Sequence, residues 1–201
     1  AHGSTPSKGV NAATFLAKYL HRFEFDQAGA ESFLHLLADH LHQDFEGVNL
    51  GVAHRDPVMQ ELTMNVGLIN YRDDKGGSIV ANFRYPKGTD PEKMAAQTAQ
   101  RLAGHDLSIE WGEFKEPHYV SVDDPMVKEL LAVYEEQTGL EGHEMTIGGG
   151  TYGRLMPRGV AYGALFPDSI DTMHQANEFI AIDDLLKATA IYAESIYRIT
   201  R

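Results

Sequence analysis

The sequence predicts a mixed α/β chain in two parts. Three observations carry that prediction. Its 201 residues are 43% hydrophobic and 23% charged, the composition of a chain that buries a core. Apolar residues recur at helical spacing in some stretches and alternate in others. Proline, glycine or aspartate stands at most of the changes between the two patterns.

Phe15, Leu16, Tyr19 and Leu20 share one helical face between Val10 and His21. Phe33, Leu34, Leu37 and Leu41 do the same from Ala30 to His42. The period then changes. Leu62, Met64, Val66 and Leu68 alternate with Thr63, Asn65 and Gly67, which predicts a half-buried strand with Leu68 on the inner face. Asp73 to Gly77 is a turn, and Ile79, Ala81, Phe83 and Tyr85 form the inner side of its hairpin partner. Asp90-Pro91 caps and opens a helix that stops at Gly104. Leu107, Ile109 and Trp111 alternate as a further strand. The order α, α, β, β, α, β becomes the βαββαβ ferredoxin-like module, with one extra helix, if a strand precedes His2. That missing strand leads to the expectation that the chain is a piece of a longer protein.

The polar connector Lys115 to Asp124 separates the parts, predicted as 1–115 and 116–201. Asp124-Pro125 opens a helix with Val127, Leu130, Leu131 and Tyr134 on one stripe, ending at Gly139. Strands are expected at Glu144 to Ile147, Val160 to Phe166 and Glu178 to Ile182. Asp183 is the expected cap of a last helix bearing Leu185, Thr189, Tyr192, Ile196 and Ile199.

Charge and composition narrow the function. Lys and Arg total 17 against 29 Asp and Glu, a net charge of −12, which argues against tracking nucleic-acid phosphates or docking on an anionic membrane. No apolar run has the length of a membrane-spanning helix. Cysteine is absent, so disulfides, thiolate zinc sites and thiol catalysis are excluded, and a reducing cytoplasmic setting fits. The ten histidines point toward metal or proton chemistry.

Five features are candidates for chemistry. Gly148-Gly149-Gly150-Thr151 lies after an expected strand, where glycines let backbone amides approach an anion; a plain tight turn fits as well. His174 sits on a polar loop between expected strands, a place for a metal ligand, although spacing alone favours an exposed loop histidine. Asn82 and Arg84 point the same way from one strand, and an arginine there can clamp a carboxylate or merely face water. His35, Asp39 and His42 share a helical face suited to a metal ion, but one opposite the leucines and so best read as the solvated side. His2 stands too near the start of the chain for any pattern to judge.

Taken together, these segments resemble a known family. Ala1-His2-Gly3-Ser4-Thr5-Pro6 is similar to the lid-domain signature of the dinuclear zinc peptidases of the aminoacylase and carboxypeptidase G type, and Asn82-Phe83-Arg84-Tyr85-Pro86 to their lid arginine strand. Gly148 to Arg154, Met156-Pro157, Phe166-Pro167 and His174-Gln175-Ala176-Asn177-Glu178 resemble the PepV-type dipeptidases. The resemblance implies a catalytic α/β domain with two zinc ions and an inserted ferredoxin-like lid. Residues 1–115 would be part of the lid and 116–201 the end of the catalytic domain. By the same resemblance His2 stabilises the oxyanion and Arg84, with Asn82 beside it, binds the substrate carboxylate. Gly148, Gly149, Gly150 and Thr151 offer backbone amides, and His174 is a zinc ligand, with manganese or cobalt suiting the same donors. The other ligands and the general-base glutamate would lie in an N-terminal half outside this sequence. The implied function is hydrolysis of short peptides with a free C-terminal carboxylate by a metal-bound water, with this chain inactive alone. A related N-acyl amino acid amidohydrolase, or a non-catalytic lid-like binding or dimerisation module, remains open, as does monomer against homodimer.

Overall fold

The computed structural model describes residues 3–163, 165–173 and 175–201, with Ala28 described by its backbone alone. Two candidates, His2 and His174, lie outside the described residues. The chain divides into two compact units. One runs as far as Pro117 and includes Thr146–Gly149; the other comprises His118–Met145 and Gly150–Arg201.

The first unit begins with a short 3₁₀ turn, Pro6–Lys8, and then α1, Ala12–Leu20. Asn11 starts α1, its side-chain oxygen accepting from the Thr14 amide at 3.3 Å, as a capping residue does. Its amide nitrogen also donates to the Val66 carbonyl at 2.9 Å, tying the helix start to the sheet. Helix α2, Ala28–His35, continues into a π-helical turn, Leu36–Leu41. The wider turn rotates the residues C-terminal to it relative to those before it. His35 remains with Asp39, Nδ1 to Oδ2 3.1 Å, whereas His42 faces Thr14 Oγ1 at 3.3 Å and sets its ring edge-on to Phe15. The single polar face expected for His35, Asp39 and His42 is therefore split.

A small antiparallel pair, β1 (Arg55–Asp56) and β2 (Gln60–Glu61), precedes the main hairpin of β3 (Thr63–Arg72) and β4 (Gly76–Arg84). Leu62, Met64 and Val66 are buried, and Met64 and Val66 stand opposite Phe83 and Ala81. With Ala17, Leu37, Leu41, Leu50, Val52, Met94 and Leu102 they form the core of this unit. The register shifts between Val66 and Leu68. This irregularity reverses the side-chain parity, so Leu68, expected inside, is 68% exposed and Ile69 packs against the core instead. Helix α3, Pro91–Leu102, is capped by Asp90, whose carboxylate accepts from the Glu92 and Lys93 amides at 3.0 and 3.1 Å.

In the second unit α4 (Pro125–Thr138) packs on α5 (Ile182–Ile199) through Val127, Leu130 and Val133 on one side and Ala188 and Ile191 on the other. Asp124 caps α4 by accepting from the Met126 amide at 2.9 Å, and Gly139 ends it with φ of 70°, a left-handed conformation suited to glycine. Arg198 joins the helices, bonded to Glu194 on its own helix and to Glu129 and Glu136 on α4. Tyr162 donates to the Leu130 carbonyl at 2.7 Å and Tyr192 to the Tyr162 carbonyl at 2.9 Å; burial pushes both phenols up. Asp183 does not cap α5. Ala181 holds that position, and Asp183 and Asp184 fall in the first turn, where negative charge suits the helix dipole.

The other strands expected from alternation are corrected. Among the described residues the segments 107–111, 144–147, 160–166 and 178–182 are in no β-ladder, and both sheets are two-stranded and antiparallel. Alternation marks an extended, half-buried segment, but a strand also needs a partner in hydrogen-bonding reach. Trp111 illustrates the difference: it stacks on Phe114, with a ring separation of 5.5 Å, and packs against the core from an irregular segment. The observed architecture is therefore mixed helices with small antiparallel sheets. The complete βαββαβ module and a strand-bearing second layer are not assembled by these residues.

The histidines of the first unit set a pH response. Burial holds His42 below the ordinary 6.5, helped by Lys18. Burial does the same for His105, helped by His40, whose ring is 5.1 Å away, and His35, while Asp39 opposes. A depressed folded-state pKa means that the unfolded chain takes up protons first. Stability is therefore full above about pH 6.5 and is lost as pH falls through the lower folded values. Thermal melts of the chain from pH 8 to 5 should show a falling midpoint, with a smaller fall in His105→Gln. An equal slope in that variant would assign the effect elsewhere.

Candidate functional site

The polar face of the β3–β4 hairpin is built by parity. Side chains alternate along each strand, so burying Met64, Val66, Ala81 and Phe83 turns Thr63, Asn65, Asn82 and Arg84 to the other side. The register sets Thr63 opposite Arg84 and Asn65 opposite Asn82. Asn82 and Arg84 thus share a face, as alternation predicts.

Arg84 is half-buried and its Nη1 donates to the Gly148 carbonyl. Ser4 is packed close to the same glycine: a Cβ on Gly148 would lie 2.8 Å from Ser4 Cβ. A larger residue there would push away the 3–4 segment. The next residue on β4's path, Tyr85, anchors the strand end by donating from its hydroxyl to the Lys115 carbonyl at 2.8 Å, and burial raises its pKa. Arg55, Arg72, Arg158 and Arg198 each pair with a carboxylate. Among the described residues no carboxylate lies within ion-pair distance of Arg84. A half-buried guanidinium that uses only Nη1 among the described residues favours an anion from outside.

The glycine run is divided. Gly148 and Gly149 belong to the first unit and Gly150 and Thr151 to the second. In the first unit it is a carbonyl, that of Gly148, which faces Arg84. In the second, Thr151 precedes a short 3₁₀ turn, Tyr152–Leu155, and the Arg154 guanidinium closes over Gly150.

The segment flanking His174 is knit to itself. Thr172 Oγ1 donates to the Phe179 carbonyl at 3.3 Å and accepts from its amide at 3.1 Å. The Gln175 amide donates to the Thr172 carbonyl at 3.0 Å, and the Met173 amide to Asp171 Oδ1, also at 3.0 Å. Elsewhere in this unit Arg158 forks onto the α4 cap, Nε to Asp124 Oδ2 2.9 Å and Nη2 to Oδ1 2.7 Å. That pairing, with the Met126 amide, holds the Asp124 carboxyl below its usual range against the opposing effect of burial. His118 completes the local frame, its Nε2 lying 2.6 Å from the Gly159 carbonyl. Neither residue has a sequence signal beyond its type.

Among the described residues no group of three or more His, Asp or Glu stands where it could hold a metal ion. These residues do not by themselves make a zinc centre. No helix among them is long and apolar enough to cross a membrane.

Comparison with known proteins defines the class. The chain belongs to peptidase family M20/M25/M40, whose profile matches residues 15–198. It is 48% identical over 202 residues to the Beta-Ala-Xaa dipeptidase of Lactobacillus delbrueckii subsp. lactis, an alignment covering 100% of this chain and 42% of that protein. It is 41% identical to the "Putative dipeptidase YtjP" of Bacillus subtilis, again over 100% of this chain and 42% of the relative. The chain therefore spans less than half the length of these relatives.

Proposed function

We propose that the protein carrying this chain is a metal-dependent dipeptidase, and that the chain supplies the surface that grips the substrate's C-terminal carboxylate. The observation that carries this reading is Arg84: half-buried, steadied by the Gly148 carbonyl, on an open polar face and without a carboxylate of its own among the described residues. The dipeptidase names of the relatives, together with family membership, support the substrate class. In this reading residues 1–115 belong to a ferredoxin-like lid and 116–201 to the end of the catalytic domain. Arg84 receives the carboxylate, with Asn82 next to it, and Gly148 to Thr151 line the same end of the substrate. His2 donates to the developing oxyanion, where a hydrogen bond that strengthens in the transition state accelerates the reaction. His174 is one ligand of a two-zinc centre, and the remaining ligands and the general base come from outside this chain. Zinc, with manganese or cobalt as substitutes, would supply Lewis-acid activation of a water. The chain's own contribution is to bind and orient the substrate and to shut out water.

The test compares the 201-residue chain with the protein at the length of its relatives, using dipeptides, tripeptides and N-acetyl amino acids. The longer protein is expected to cleave dipeptides in a chelator-sensitive reaction and the isolated chain to be inactive. Preference for N-acetyl amino acids would reassign the substrate. Cleavage by the isolated chain would show that it builds its own centre.

A further inference from the structure

We infer that Asn65 is a specificity-determining residue that binds the substrate's terminal carboxylate jointly with Arg84, an inference that rests on the proposed carboxylate-gripping role of Arg84. The geometry is carried by Gly3. A Cβ built on that glycine would stand 3.6 Å from Asn65 Nδ2 and 3.7 Å from Arg84 Nη2. Two N–H donors from two strands thus converge on one small space that glycine leaves open. Arg84 uses Nη1 on the Gly148 carbonyl, which leaves Nη2 directed elsewhere. The Asn65 side chain is half-buried and makes no hydrogen bond with the described residues. A half-buried amide without a partner is unfavourable unless a ligand or water completes it. Across from Arg84, the Thr63 hydroxyl is also buried without a partner, so this face has more hydrogen-bonding capacity than the described residues satisfy.

A carboxylate fits such a pair. It has two acceptor oxygens and no donor, so it accepts from a guanidinium and an amide together. A primary amide in its place presents an NH₂ group toward one of the donors and leaves that bond unmade. Asn65 therefore adds discrimination between a free C-terminus and a blocked one, beyond the attraction that Arg84 supplies by charge.

The experiment uses the full-length protein, a dipeptide and the same dipeptide with an amidated C-terminus. Asn65→Ala is expected to lower kcat/KM for the free dipeptide about 10-fold, mainly through KM, and to change the amide little. Asn65→Asp should lose more on the free dipeptide, since a carboxylate would then face a carboxylate, and should narrow the preference for it over the amide. Gly3→Ala, which places a methyl in ordinary contact with both donors, should reproduce the loss of Asn65→Ala on the free dipeptide. Circular dichroism and thermal melts verify that each variant folds. If both Asn65 variants keep the wild-type ratio of acid to amide while Arg84→Ala loses it, the inference is overturned and the carboxylate-gripping role of Arg84 stands. If Arg84→Ala also keeps the ratio, that role fails and the inference with it.

Discussion

Arg84→Ala in the full-length protein is expected to lower kcat/KM on free dipeptides by about 100-fold, chiefly by raising KM. The size reflects the interaction removed: a charge-assisted contact at a half-buried position, where water competes poorly. The loss should be confined to substrates with a free carboxylate, because an amidated dipeptide gives the guanidinium no charge to meet. Arg84→Lys should recover only part. Lysine keeps the charge, but one ammonium cannot hold the Gly148 carbonyl with one arm of a planar fork while presenting the other arm to a ligand. Steady-state kinetics on the acid and amide pair measures this directly. Equal losses on both substrates would make Arg84 a prop for the Gly148 segment and remove the main support for the proposed function.

The largest effect on stability is expected at Leu62, which is 0% exposed and lies at the foot of the hairpin among Met64, Val52 and the helices. Leu62→Ala should destabilise the chain by about 3 kcal/mol, the transfer of the lost methyl groups plus the cavity they leave. Leu62→Met, which keeps the volume, should lose less than about 1.5 kcal/mol. Denaturant unfolding measured by circular dichroism distinguishes the two. A loss below about 1 kcal/mol for alanine would mean that the helices collapse onto the gap and that the packing is less fixed than the burial of Leu62 implies.

The elements legible in the sequence are those with local causes. Asp90 and Asp124 act as helix caps within a few residues of the periodicity they open, and Gly139 ends α4 by its own backbone conformation. The β3–β4 hairpin reads from alternation on both sides of a turn. The segments 107–111, 144–147, 160–166 and 178–182 mislead because alternation reports one side of a segment and says nothing about a ladder partner. The π turn at Leu36–Leu41 is equally invisible, since it changes no residue type, only the winding that carries His42 away from Asp39. At the candidate site, Asn82 and Arg84 are readable because parity alone puts them together. Asn65 is not, because its place beside them depends on register across two strands and on the path of Gly3. His2 rests on family resemblance alone, and His174 on that resemblance together with its place in a polar loop.

The register shift at Gly67 makes the hairpin unequal in its tolerance to changes of length. Below it, every residue added to or removed from one strand would exchange Met64 and Val66 with Asn65, turning the core outward and the ligand face inward. Above it, the strands run to an exposed tip at Asp73 and Asp74, where an insertion moves nothing that is buried. Loop grafts, tags and natural insertions therefore have one permissive port in this hairpin, at 73–75. Deleting Gly67 alone would remove the unpaired residue and leave Val66, Leu68 and Ile69 opposite Ala81, Val80 and Ile79, so Leu68 would stay outside and Ile69 on the core. The hairpin behaves like a reading frame: indels at its tip are silent, and indels near its base scramble both the core and the binding surface.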